Sequence, residues 1–275
     1  MKALDKKMFR ELWQMKSQAV AIAIVIASGV GTFVMSLGTL ESLQTTRSTF
    51  YQEYNFAEVF ATLKRAPESV KGRISSIPGV ELVETRVVAN VVLDIPDFAD
   101  AVRGLLISID ERDGSLLNKT YLRSGRMIVS GRPAEVLVSE AFAKAHGFEP
   151  GAEIAAIING RRQELTIVGV VLSPEHIYMI APGGVFPDFE RYGVLWMNRE
   201  PLANAYDMDG AFNDVTLTLS PGASEEAVIE LLDEIVEPYG GFGAIDRDTQ
   251  ISHRFLSEEF RSLRLMARVF PIIFL

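Results

Sequence analysis

The sequence predicts a membrane-anchored α+β chain: an N-terminal transmembrane helix, a mixed α/β extracytoplasmic domain, and an amphipathic helix leading into a second transmembrane helix. Three observations carry this expectation. Residues 19–40 hold no charge, short strand-like and helix-like segments alternate over the middle of the chain, and from Gln250 apolar residues recur at helical spacing up to a closing "FPIIFL".

Length argues first. Ala19 to Leu40 is 22 residues, which at helical rise reaches roughly 33 Å, enough for a hydrocarbon core of about 30 Å. Ten of these residues are Val, Ile, Leu or Phe, and together they favour insertion by roughly 3 to 6 kcal/mol before Gly, Ser and Thr subtract something. A cleaved signal has an apolar core of about 7 to 15 residues. Ser36-Leu37-Gly38 would pass as a cleavage site, but the run is longer than a signal needs. Lys2, Lys6, Lys7, Arg10 and Lys16 precede the span, whereas Arg47 is the one basic residue between Glu41 and Glu58. The start is therefore expected in the cytoplasm of a cell with the bulk of the chain outside its (inner) membrane.

Before the span, Leu4, Met8, Leu12 and Met15 form one face, with Lys6, Lys7 and Arg10 opposite. Such a flank, residues 1–18, suits the headgroup layer. Within the span, Ala19, Ala23, Ala27 and Gly31 repeat every four residues, a small-residue groove along which a second helix can approach closely. Small residues are also common in membrane helices for no such reason, and both readings stand.

The domain expected over 41–249 is built from short elements. "AEVFATLK" and "VELVETRVVANVVLDI" read as strands around the helix "PESVKGRISSI", which Pro67 would start and Pro78-Gly79 would end. "AVRGLLISID" is a further strand, and "AEVLVSEAFAKAHG" is a strand turning at Ser139 into a short helix stopped by Gly147. "AEIAAIINGRRQELTIVGVVL" is a hairpin, because Asn159-Gly160 suits a type I′ turn. After a Pro/Gly/aromatic loop come the strand "GVLWMN", the helix "REPLANAYDM", the strand "NDVTLTLS" and a helix capped by Ser224. Residues 250–275 form a stalk helix: Phe255, Leu256, Phe260, Leu263 and Met266 recur at its period while Glu258, Glu259, Arg261, Arg264 and Arg268 fill other positions. Its apolar end is expected to be the start of a second membrane helix.

Composition excludes several classes of function. The net charge is −9, and with five basic residues before the span the remainder is more acidic still, so nucleic acid is not an expected partner. There are no cysteines, which removes disulfides, thiolate catalysis and Cys-based zinc sites. Phosphate-loop, H-E-x-x-H and G-x-S-x-G patterns are absent. His146, His176 and His253 lie in unrelated contexts, and "DIPDFAD" and "DMDG" read as turns. No catalytic, cofactor-binding or metal-ligating residue is therefore assigned, and the chain is expected not to be an enzyme. Asn118 begins a formal glycosylation triplet, a weak pattern. The loop "SPEHIYMIAPGGVFPDFERYG" carries Ile177, Tyr178, Met179 and Phe186 in one long connection. Long loops are often functional, so these residues are candidates for a partner or substrate surface, with packing over the domain edge as the alternative.

Three stretches together carry a resemblance: the flank and span "LWQMKSQAVAIAIVIASGV", the passage "EVLVSEAFAKAHGFEPGAEIAAIINGRRQELTIVGVVLSPE", and the closing "FRSLRLMARVFPIIFL". The chain resembles permease subunits of FtsX/MacB-type ABC transporters. Glu153 follows Gly151-Ala152 where that family commonly has an acidic residue directly after the Gly, a departure confined to a turn. The resemblance implies a MacB-like periplasmic core domain of two subdomains between the first and second membrane helices. It also implies a permease that couples ATP hydrolysis by a separate ABC ATPase subunit to export or mechanotransmission on the outer side. The chain itself would bind no cofactor, ATP being held by that partner, which the permease would grip largely through segments beyond this chain. A second permease subunit, identical or not, and an outer partner protein are further implied. The competing reading is a two-helix membrane sensor whose outer domain binds a ligand.

Overall fold

The computed structural model describes residues 10, 13, 15–95, 98, 100–110 and 114–274, with the side chains of 268 and 270–274 outside that description. Most of the expected headgroup flank, Leu4, Met8 and Leu12 included, and Asp97 also lie outside the described residues. The chain is α+β and divides into two compact units, one of Met1–Thr49 with Ser257–Leu275 and one of Phe50–Leu256.

The first unit is helical. Helix α1, Lys16–Glu53, is apolar on every side over its first half, as a lipid-facing segment must be. It is long and apolar enough to cross a membrane by length and composition. Ile22, Ile24, Val34 and Met35 are all exposed. Of the expected groove residues, Ala19 is half-buried and Ala23, Ala27 and Gly31 are exposed, with no atom of the described residues within 4 Å of the position a Cβ on Gly31 would take. Further along, α1 meets the last helix through Arg47, whose Nη1 donates to Ser257 Oγ at 3.2 Å and whose guanidinium lies 4.8 Å from the centre of the Phe260 ring. Leu40, Phe260 and Ala267 are buried in this unit.

The second unit holds two sheets. Strands β1 (Val59–Pro67), β2 (Val80–Arg86), β10 (Ala211–Leu219) and β11 (Ile245–Asp246) form an antiparallel sheet in the order β11-β1-β10-β2. It packs on α2 (Val70–Ser75) and α5 (Glu225–Val236) around Leu63, Ile74, Phe212 and Leu232. Strands β3 (Val88–Asp94), β4 (Val102–Ile109), β5 (Tyr121–Gly125), β6 (Glu135–Ser139), β7 (Glu153–Ile158), β8 (Arg161–Leu172) and β9 (Tyr192–Asn198) form the other sheet, in the order β5-β8-β6-β9-β4-β3-β7. This sheet closes, because β7 pairs with β8 as well as with β3. Thr166 N donates to Ala134 O before β6 and Ile167 N to Ala152 O before β7. Successive amides of a strand point to opposite edges, so β6 and β7 flank β8, leaving a six-stranded barrel with β5 added beside it. Leu106, Ile107, Val138, Ile154, Ile167 and Leu195 are among its buried residues. Helices α3 (Glu140–His146) and α4 (Arg199–Ala205) pack on the barrel, and α6 (Ile251–Phe274) ends the described chain.

Three local details differ from the sequence reading. "VELVETRVVANVVLDI" is two strands: β2 ends at Arg86, β3 begins at Val88, and the two belong to different sheets. Pro67 ends β1, paired with Ala211, and does not start the helix; the ladder continues when Glu68 N donates to Gly210 O. A proline is tolerated there because successive amides face opposite edges, so with Glu68 N on the β10 side the Pro67 nitrogen faces the other edge, where β11 pairs only with Val59 and Phe60. The edge strand β5 and the two-residue β11 carry too little apolar alternation to be read from sequence. Elsewhere the turn chemistry holds. Asn159 and Gly160 have φ of 45° and 76°, Gly147 closes α3 in the left-handed region, and Ser224 Oγ accepts from Ala227 N at 3.3 Å.

The barrel admits no side chain at Gly169, next to the residue by which β8 bulges against β6. A Cβ on Gly169 would stand 2.4 Å from Arg126 O, a backbone atom that cannot move aside alone. Gly169→Ala should therefore destabilise the detergent-purified chain by about 1 to 3 kcal/mol, seen as a lower midpoint in thermal denaturation. Gly72→Ala, in α2 with nothing within 4 Å, should leave the midpoint unchanged or raise it.

Candidate functional site

The break between β2 and β3 puts one arginine where the two sheets join. Arg86 Nη1 and Nη2 donate to Glu175 Oε2 and Oε1 at 2.6 and 2.9 Å, and Nε donates to Asp214 Oδ1 at 2.7 Å. Asp214 is on β10 in the first sheet, and Glu175 is in the 3₁₀ turn Pro174–His176 that follows β8 of the barrel. The rigid fork of the guanidinium suits this arrangement, since a lysine would offer no planar bidentate face. Around it, Ser108 Oγ accepts from Val87 N at 2.8 Å, and the Asn213 side chain exchanges two 2.8 Å bonds with the backbone of Val88. Asn213 thus replaces the strand partner that Val88 loses as the chain changes sheets. Arg199 adds a second link, donating to Thr85 O at 2.7 Å and pairing with Glu68.

Glu175 and its neighbourhood also receive the ends of both long helices. Asn118 Nδ2 donates to Glu175 Oε2 and Asn118 Oδ1 accepts from Ala57 N, both at 2.8 Å. Gln250, just before α6, donates to Glu175 O at 2.8 Å and accepts from His253 N through Oε1 at the same distance. His253 Nδ1 lies 3.2 Å from the Tyr51 hydroxyl near the end of α1, and Ser252 Oγ accepts from Tyr178 N at 3.0 Å. Arg247 donates to Ala57 O at 2.8 Å and lies over the Phe56 ring. Tyr51, Phe56, Ala57, Phe60 and Leu117 form the apolar cluster beneath these bonds. The C-terminal end of α1 and the N-terminal end of α6 are thereby fastened to the same turn that holds Arg86.

The electrostatics follow from crowding acids about one buried cation. Burial alone would raise the Glu175 carboxyl, but Arg86, then His176, with the bonds from Arg86 and Asn118, hold it below its ordinary value. Burial raises Asp214, which Arg86 offsets only in part and Glu175 raises further. Glu84, which accepts from Leu117 N at 2.6 Å, is likewise raised, first by burial. Burial lowers His176, and Arg86 lowers it further against the pull of Glu175. Its Nε2 is buried, 3.8 Å from Glu175 Oε1 and without a hydrogen-bond partner.

The loop expected to face a partner divides in two. Met179 is buried in the barrel core, Ile177 packs against the Tyr51–Phe56 cluster, and the Tyr178 ring is 6.2 Å from that of Phe255. Phe186, by contrast, is 76% exposed, with Val185 beside it at 69%. Asn118 of the glycosylation triplet is buried and spends its side chain on Glu175 and Ala57. Asp94 pairs with Arg162 and Asp100 with Arg191, as turn and surface residues do. Among the described residues no three or more His, Asp or Glu are grouped to hold a metal. Arg86, Glu175 and Asp214 were missed from sequence because 89 and 128 residues separate the arginine from its acids. The visible signal was the one arginine of the β run "VELVETRVVANVVLDI".

The sequence matches no family model and no curated protein. Among solved structures the chain is similar to the periplasmic region of MacB from Actinobacillus actinomycetemcomitans, at 13% identity over 77% of this chain and 95% of that one, with a TM-score of 0.44. It is also similar to the extracellular domain of the noncanonic ABC-type transporter YknZ from Gram-positive bacteria, at 14% identity over 70% of this chain and 99% of that one, with a TM-score of 0.44.

Removing the cation should cost more than removing the whole cluster. Arg86→Ala leaves two buried carboxylates unpaired and is expected to destabilise by about 3 to 5 kcal/mol in urea titrations, with Arg86→Met/Glu175→Gln/Asp214→Asn recovering most of the loss. The two acids should differ in pH dependence. Glu175, lowered from 4.5, contributes stability that is complete above 4.5 and lost as pH falls through its lowered folded value. Asp214, raised from 3.8, carries a penalty above its folded value that disappears as pH falls below 3.8. Subtracting the Glu175→Gln stability curve from that of the wild type should give a gap that closes on acidification, whereas Asp214→Asn should gain on the wild type as pH rises.

Proposed function

We propose that the chain is part of the permease subunit of an ABC transporter, working as a transmitter of motion and not as a catalyst. One observation carries this reading: α1 and α6 are fastened at one end to a single hydrogen-bonded turn, through Tyr51, His253, Gln250 and Glu175. The same turn holds the arginine that joins the two sheets. Displacement of either helix end therefore bears on both sheets at once, since packed elements shift between discrete arrangements and do not flex smoothly. Supporting it are the apolar first half of α1, the amphipathic character of α6, and the resemblance of three sequence stretches to FtsX/MacB-type permeases.

On this reading the N-terminal flank is cytoplasmic, α1 crosses the membrane, and the two-sheet unit stands outside. A separate ATPase subunit supplies the energy, and a second permease subunit completes the membrane part. Phe186 and Val185 are the residues offered to an outer partner.

The test isolates the complex from its native membrane and compares Gln250→Ala/His253→Ala with the wild type. An ATPase subunit should co-purify with both. ATP hydrolysis should stay within about twofold while substrate movement falls at least tenfold, because the loss lies in coupling. No co-purifying ATPase, or equal transport by the two forms, would count against the proposal.

A further inference from the structure

We infer that Arg261 and Arg264 of α6 form a cationic contact for anionic phospholipid headgroups at the outer surface of the membrane. The inference rests on the reading of α1 as a membrane span. It begins from register inside the helical unit. Arg47 lies against Ser257 and Phe260. Seven residues further along each helix stand the next buried positions, Leu40 on α1 and Ala267 on α6. With Arg47 set against Ser257 and Phe260, equal steps in opposite numbering are the spacing of an antiparallel pair, in which position 260 + n on α6 is level with about position 47 − n on α1. Arg264 then lies level with position 43, and Arg261 with position 46, each within about a turn or so of Glu41. Glu41 is the first charged residue after Lys16, the point at which α1 leaves its uncharged run. Both helices therefore mark the same plane as the edge of the hydrocarbon.

The charge in that plane is opposite to that of the rest of the molecule. By sequence, positions 41–47 and 261–268 hold four arginines and one glutamate, in a chain whose net charge is −9. Basic residues outside the membrane run against the positive-inside tendency, so their concentration here is not what topology alone would select. Arg261 and Arg264 are three positions apart on one helix face, and both are exposed. Among the described residues Arg261 has one ion pair, the long, exposed approach of Glu258 at 3.8 Å, a pairing worth little in water. Arg264 makes no ion pair among the described residues. Exposed Leu265, Met266 and Val269 follow on the same helix, with Arg268 among them by sequence, so apolar surface adjoins the arginines as acyl chain adjoins headgroup. A guanidinium at that height meets phosphate oxygens in the geometry it binds best.

The chain has no cysteine, so Ser262→Cys in the full chain gives a single label between the two arginines. The labelled chain is placed in vesicles of phosphatidylcholine, with or without phosphatidylglycerol, and quenched with neutral acrylamide. Phosphatidylglycerol should lower the quenching constant at least about twofold, high salt should reverse the change, and Arg261→Gln/Arg264→Gln should abolish it while the Lys pair retains part. Equal quenching in the two lipids, or a drop that survives the Gln pair, overturns the contact. An alkaline carbonate wash separates the two ideas: a chain that washes off overturns the span and the contact together, whereas a retained chain with lipid-independent quenching overturns the contact alone.

Discussion

A buried arginine held by acids from two sheets is the constraint on which the larger unit depends. Arg86 and Asp214 are in the four-stranded sheet, Glu175 follows the barrel, and all three are almost wholly buried. Such an arrangement is a poor source of net stability, since desolvation offsets most of the attraction. What it supplies is position. An apolar joint would tolerate sliding of one sheet over the other, whereas a guanidinium bonded through three nitrogens has one satisfactory placement. Asp214 and Glu84 are raised first by burial, and the neighbouring Glu175 carboxylate raises both further.

Around that fixed point the polar bonds continue toward the helix ends without a gap. Glu175 binds Asn118 through its carboxylate and Gln250 through its carbonyl, Gln250 accepts from His253, and His253 meets Tyr51. Each link is short and mostly buried, which makes the connection stiff.

Much of this was legible in the residues, and the reason for what was not is physical. The apolar span, the Asn159-Gly160 hairpin, the Ser139–Gly147 strand-to-helix passage and the Ser224 cap are local, each written in adjacent residues. The switch of sheets at Val87 was hidden because "VELVETRVVANVVLDI" has unbroken β propensity. Only Ser108 and Asn213, distant in the chain, decide where it divides. Part of the Ile177–Phe186 loop is apolar for the opposite reason to the functional one: Met179 is core. The Arg86 cluster depends wholly on long-range contacts. The small-residue repeat from Ala19 to Gly31 was legible as a pattern, whereas the contact of Arg47 with Ser257 and Phe260 of α6 joins residues some 210 positions apart and left no local trace.

Closure of the barrel through β7 and β8 bears on how the molecule comes apart. In an open sheet an outer strand can peel away at the expense of a single ladder. Here each of six strands is held on both sides, so freeing any one breaks two ladders and uncovers the shared interior. Amide protons of this ring should therefore exchange with solvent together and last, while β5 and β11, each paired along a single edge, exchange by local fraying.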